Sequence, residues 1–283
     1  MVQWGSDMFS ISQQHRLSGP AVTYDGTGNF TQDRFIAPVY LVFHYTVIDY
    51  AKSVRAFGKD GPHTSSAHLV VGRTGEITQM VDFNRRAWHA GTSFWSGLSD
   101  LNTHSIGIEV ENYGYLHKKP AGFFSDNDDA VDPAVVIQAR HKNPACPHEH
   151  WHQYAPAQLD ACENLAVALT SFYKLKEIVG HDDIAPTRKT DPGPAFPMER
   201  MRNAAFGRGV HLEEGRQYEV VAAKLNIRGG PGTGFAALGP PLMQGTRLAQ
   251  LQPGSDGWVK VAVLAPGGVQ GWVYGPYVRI LDA

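Results

Sequence analysis

Cysteine is scarce in this chain, two in 283 residues, Cys146 and Cys162. Two thiols cannot build the disulfide scaffold of a small secreted domain, and two ordinary free cysteines are expected. Charge is sparse too: 18% of residues, nearly balanced at a net −2, with a pI near 6.7. That balance leaves no basic footprint, which argues against nucleic acid or an anionic membrane as partner. Apolar runs such as VYLVF (39–43) are far too short to span a bilayer. The opening MVQWGSDMFSISQQHRLSG has neither a basic start nor an apolar segment, so no Sec signal peptide is expected and export would take another route. What is abundant is glycine (30), proline (18) and histidine (13). The first two predict many loops and few helices, and the third hints at metal chemistry. With 42% hydrophobic residues, the chain is globular, with room for one large domain and a small one.

Residues 1–34 are polar and glycine-rich and read as an irregular arm. APVYLVFHYT (37–46) is a buried strand by its β-branched and aromatic run, and DYAKSVRAF (49–57) has Tyr50, Val54 and Phe57 at helical spacing. AHLVVGRTGEITQMV (67–81) predicts a hairpin turning at Arg73-Thr74-Gly75. SIGIEVEN (105–112) alternates, with Ile106, Ile108 and Val110 on one face and Gly107, Glu109 and Glu111 on the other. APAQLDACENLAVALTSFYKL (155–175) predicts the strongest helix, striped by Leu159, Cys162, Leu165, Leu169 and Phe172. The fold class is therefore α/β, a mixed β-sheet flanked by helices. After Gly209 only short strands and glycine-rich turns remain, which predicts a small all-β barrel. The domains expected are 1–208, a linker at 209–217, and 218–283.

VGHDDIAPTRKTDPGPAFP (179–197) gathers His181, Asp182, Asp183, Arg188, Lys189 and Asp191 among prolines that stiffen the backbone. A solvated connection with its own salt bridges would explain these charges. So would a zinc hydrolase site, which needs three nitrogen or oxygen ligands and an open fourth position. His181 and Asp191 at the two ends of one loop, with His44 at the end of a buried strand, meet that need.

FHYTVIDYAKSV, SAHLVVGRTGEITQMV, RAWHAG, NTHSIGIEVEN and VGHDDIAPTRKTDPGPAFP, in this order, resemble the type-2 N-acetylmuramoyl-L-alanine amidases, the AmpD/AmiD branch. The likeness covers roughly residues 37 to 200. It implies an amidase-2 or peptidoglycan-recognition-like fold and one zinc ion held by His44, His181 and Asp191. It also implies cleavage of the amide between the lactyl group of muramic acid and L-alanine in peptidoglycan stem peptides. Glu109 takes the family's acid-base position, ahead of its neighbour Glu111, and Lys189 is placed to meet charge on the carbonyl oxygen. Tyr45, Trp88 and His89 resemble residues that line the substrate cleft. His68 is expected as a buried structural partner, and Asp183 and Arg188 as braces of the loop.

The 116–154 stretch reads as an insertion, and its HKNPACPHEHWHQY (141–154) as a solvated loop in preference to a second metal site. The C-terminal LNIRGGPGTG, DGWVKV and QGWVYGPYV resemble bacterial SH3-like domains attached to cell-wall enzymes, which implies anchoring to peptidoglycan. Trp258, Trp272, Tyr274 and Tyr277 are its candidate contact aromatics. SDLNTHSIGIE lacks the arginine that recycling relatives carry before this strand. This departure and the added barrel favour large wall fragments in the periplasm or cell wall over a cytoplasmic recycling role. Two alternatives stand beside the amidase: a non-catalytic peptidoglycan-binding module, and a zinc hydrolase of the same fold with another target bond. An immunity or secretion partner is left unassigned.

Overall fold

Short runs rich in β-branched and aromatic residues carry the main sheet. Its strands are Val22–Tyr24 (β1), Tyr40–Tyr45 (β2), Leu69–Val71 (β3), Ile77–Gln79 (β4), Ser105–Val110 (β5) and Glu177–Gly180 (β6). The computed structural model describes residues 8–58, 65–206, 217–255, 258–265 and 268–281. The chain divides into two compact units, Met1–Phe206 and Gly207–Ala283. Apart from Gln217, the expected linker lies outside the described residues.

The sheet order is β6-β2-β5-β3-β4-β1. β5 runs parallel to β2 and β3, β6 parallel to β2, and β3–β4 is the expected antiparallel hairpin. Every residue of β2 and β5 is buried, as parallel strands covered on both faces must be. One face packs Leu41, Phe43, Ile106, Ile108, Val110 and Ile178 against Cys162, Leu165 and Leu169 of helix Pro156–Tyr173. Each leucine buried there contributes about 1.5–3 kcal/mol. The helix begins where Pro156 pre-sets φ and the Gln158 side chain accepts the Ala155 N–H at 2.6 Å. It ends at Lys174, whose φ of 55° is left-handed. The other face carries Tyr40, Val42 and Val179, then His44 and Glu109 toward the strand ends.

Several expectations need correction. Of the expected irregular arm at 1–34, residues 1–7 lie outside the described residues, and the rest is not irregular: Ser10–Ile11 pairs with Leu17–Ser18, β1 joins the main sheet beside β4, and Phe30–Phe35 pairs with Arg85–Ala87. The last two segments are ordered by partners distant in sequence, which local composition does not display. Phe172 leaves the helical stripe and is 44% exposed, while Met201 of the unforeseen helix Met198–Ala205 joins the core. The histidine-rich stretch is a solvated loop only in part: 142–149 is irregular and exposed or half-buried, but His150–His152 pairs with Val136–Gln138, and His141, Trp151, His152 and Tyr154 are buried.

The second unit is a five-stranded antiparallel sheet. Gln217–Val220 lies between Val278–Leu281 and Arg247–Ser255, followed by Trp258–Val263 and Gln270–Tyr274. No closure joins its edge strands among the described residues, so the expected closed barrel is not shown. Its core is Tyr218, Val220, Leu225, Ile227, Leu248, Val261 and Val273. Tyr274 and Tyr277 are exposed; Trp258 and Trp272 are half-buried. No helix among the described residues is long and apolar enough to cross a membrane.

Candidate active site

Strand register brings the first two residues together. His44 of β2 and Glu109 of β5 are direct partners in the parallel ladder, so both project from the same face of the sheet. β6 ends at Gly180, and His181 opens the short helix His181–Ile184. A Cβ on Gly180 would sit 2.2 Å from Asp182 Oδ1 and 2.6 Å from Pro192 Cδ, so glycine alone admits this turn. The Asp182 N–H donates to the Asp191 carbonyl at 2.7 Å, closing the loop and setting Asp191 against His181.

His44 Nδ1, His181 Nδ1 and Asp191 Oδ2 then lie 2.9 Å from one another, all three side chains buried. Their outer contacts decide what these atoms carry. His181 Nε2 lies 3.0 Å from the Ala90 carbonyl, which only accepts, so the His181 proton is on Nε2 and its lone pair on Nδ1. The Ser105 hydroxyl spends its hydrogen on the Leu101 carbonyl at 2.6 Å. It can only accept from His89 Nε2, at 3.4 Å. His89 therefore presents a lone pair at Nδ1, and His44 Nε2–H donates to it at 3.0 Å. His44, too, is left with a lone pair on Nδ1. Two imidazole lone pairs and a carboxylate oxygen thus face one point with no proton between them. A divalent cation satisfies all three, and the donor set suits one with a preference for nitrogen and oxygen.

The electrostatics agree. Burial, reinforced by His181, holds His44 down at about 4, neutral as a ligand must be. Burial opposes charge on Asp191, and with both facing Nδ1 atoms unprotonated a cation at their centre is what would offset it. Glu109 is the reverse: burial, then the Asp191 charge, push it well above an ordinary carboxyl, and Lys189 only partly offsets them. No described side chain hydrogen-bonds the Glu109 carboxylate. Lys189 is half-buried, and its charge acts on both His44 and Glu109. Glu111 is elsewhere, accepting the Arg73 N–H at 3.1 Å.

The remaining residues fall around this group. His89 backs His44; both ring nitrogens are engaged with protein, so it lies behind the site and not on the cleft wall. The Tyr45 hydroxyl meets Thr190 Oγ1 at 2.6 Å, next to Asp191 in the chain. Half-buried Trp88 donates its indole N–H to Thr31 at 3.1 Å. His68 is fully buried, accepting the Gly107 N–H on Nδ1 and donating from Nε2 to the Arg85 carbonyl. Asp183 braces the loop through the Gly180 N–H, and Arg188 does so by donating to the Ala90 and Thr92 carbonyls instead of forming an ion pair. Ser105 was not legible as part of the site, because its contact depends on a ring sixteen residues earlier.

Residues 34–194 match the family profile described as N-acetylmuramoyl-L-alanine amidase. The chain is 33% identical over 175 residues to the N-acetylmuramoyl-L-alanine amidase AmiD of Escherichia coli (strain K12), covering 59% of this chain and 53% of that protein. It is 36% identical over 137 residues to the 1,6-anhydro-N-acetylmuramyl-L-alanine amidase AmpD of the same organism, covering 48% and 56%. The match thus spans about half the length of these curated relatives. A solved complex of the Escherichia coli AmiD with the substrate anhydro-N-acetylmuramic acid-L-Ala-D-gamma-Glu-L-Lys aligns at a TM-score of 0.46 and 25% identity, covering 76% of each chain. The profile match takes in more than half of this sequence, including His44, Glu109, His181 and Asp191, and the chain belongs to the N-acetylmuramoyl-L-alanine amidase family.

Proposed function

We propose that this chain is a zinc-dependent N-acetylmuramoyl-L-alanine amidase that hydrolyses the amide between the muramic acid lactyl group and L-alanine of peptidoglycan stem peptides. One observation carries the reading: three lone pairs converge beside a buried carboxylate that has no hydrogen-bond partner among the described residues. His44, His181 and Asp191 would hold the zinc. Such an ion lowers the pKa of water from about 15.7 to about 7 and polarises a carbonyl, which is the activation that amide hydrolysis lacks at neutral pH.

The chain's own residues handle protons and charge. Glu109, with its raised pKa, takes the proton of the attacking water and returns it to the alanine nitrogen, a poor leaving group until protonated. Lys189 meets the charge that builds on the carbonyl oxygen. Tyr45 and Trp88 are assigned to the substrate side of the cleft. In the second unit, residues 218–283 after a linker at 209–217 are assigned as an SH3-like peptidoglycan-binding domain, a reading supported by exposed Tyr274 and Tyr277. The place of action is the peptidoglycan of the periplasm or cell wall.

Digestion of purified sacculi, with and without chelator, tests this by mass spectrometry. Stem peptides beginning at L-alanine, released only without chelator, are expected. Release at another bond would make the chain a different hydrolase, and no release would make it a binding module.

A further inference from the structure

Both imidazoles of the donor set lean on one dipeptide. His44 Nε2–H donates to the His89 ring, and His181 Nε2–H donates to the carbonyl of Ala90, the next residue, each at 3.0 Å. Both N–H groups of the dipeptide are held in turn by a single side-chain atom. Asn102 Oδ1 accepts the His89 N–H at 3.0 Å and the Ala90 N–H at 2.7 Å. Asn102 is only 5% exposed and sits in the turn Leu101–Thr103 that leads into β5. Further along β5, Gly107 makes room for the His89 ring: a Cβ there would lie 2.4 Å from His89 Cγ.

We infer that Asn102 is a positioning residue that sets the protein's affinity for its metal. By clamping His89–Ala90 it keeps both outer hydrogen bonds short, so both Nδ1 lone pairs point at one place. Were the dipeptide released, either ring could turn or change tautomer and present an N–H, which repels a cation. The inference rests on the metal reading above and concerns a residue whose side-chain hydrogen bonds reach none of the donor atoms. It also accounts for the spacing between RAWHAG and NTHSIG: the first segment supplies the two acceptors, the second supplies the clamp and the glycine beneath the ring.

The test uses the full chain loaded with zinc and a graded colorimetric chelator. Asn102→Ala is expected to weaken zinc retention by about 10- to 100-fold. Asn102→Asp, which keeps an oxygen for both N–H groups, is expected to recover most of that loss. In metal-stripped protein with 15N-labelled histidine, long-range proton–nitrogen spectra of the wild type should show His44 and His181 as Nε2–H tautomers, and Asn102→Ala a mixture. A merely structural asparagine would lower the melting temperature without mixing the tautomers. Wild-type zinc retention and unmixed tautomers in Asn102→Ala overturn the inference. Should that variant not fold, Gly107→Ala displaces the His89 ring and leaves Asn102 alone. Weakened zinc retention with mixed tautomers is again expected, and wild-type values of both again overturn the inference. A wild-type chain that takes up no zinc overturns the metal reading itself.

Discussion

Replacing Glu109 by glutamine should push activity and stability in opposite directions. The carboxylate has no hydrogen-bond partner among the described side chains, so the amide breaks no protein contact. It does remove the carboxylate proposed to shuttle a proton beside the three donors, and general acid–base catalysis of this kind is worth about 10²- to 10⁴-fold. At 1.36 kcal/mol per decade, that is roughly 3–5 kcal/mol of barrier. Zinc content should be unchanged, since Glu109 is not in the donor set. Stability follows the sign of the pKa shift. A carboxyl raised in the fold contributes stability below its unfolded pKa of about 4.5 and loses it as pH rises toward the folded value. Metal-stripped Glu109→Gln should therefore melt above the wild type at pH 8, with a smaller difference at pH 5. Muropeptide turnover, elemental analysis and thermal melts at the two pH values check the three parts. Turnover within tenfold of wild type removes Glu109 as the base, and a loss of zinc makes it a ligand instead.

His181→Ala should lose the metal, measured by elemental analysis of dialysed protein; full occupancy would refute the donor set. His68 is held at about 4 by burial and accepts the Gly107 N–H, so its protonation breaks a buried contact. A depressed pKa contributes stability above pH 6.5 that is lost as pH falls toward 4, on the order of 3 kcal/mol for this fully buried ring. Urea titrations of metal-stripped protein from pH 7 to 4 should show a steeper loss for wild type than for His68→Asn; equal slopes would refute it. Deleting residues 215–283 should weaken co-sedimentation with sacculi yet spare activity on soluble muropeptides, and unchanged pull-down would assign the second unit a structural task.

The parts of the fold legible in the sequence are those with local periodicity. SIGIEVEN alternates because one face enters the core with Leu165 and Leu169 while the other faces the site, and the hairpin turns at Gly75 with a φ of 89°. The three donors were legible from residue type and placement, at a strand end and at both ends of one loop. Pairing between distant segments was not. Val22–Tyr24 is a three-residue strand whose partner lies over fifty residues on, so its glycine-rich surroundings concealed it. HEHWHQY alternates polar and aromatic residues, and only its pairing with Val136–Gln138 shows that Trp151 points inward. His89 carries the same chemistry whether it faces a cleft or a neighbour, and the glycine that lets it turn inward lies eighteen residues away.

The loop that closes through Asp182 and Asp191 has a temporal consequence for a chain built from its N-terminus. His44 emerges early, but its two partners in the donor set lie more than 130 residues later, and the ladder holding β2 in place needs β5 and β6 on either side. Contacts so remote in sequence form late and together. A nascent polypeptide stopping short of Asp191 would therefore lack the assembled donor set, which closes only once the sheet is complete.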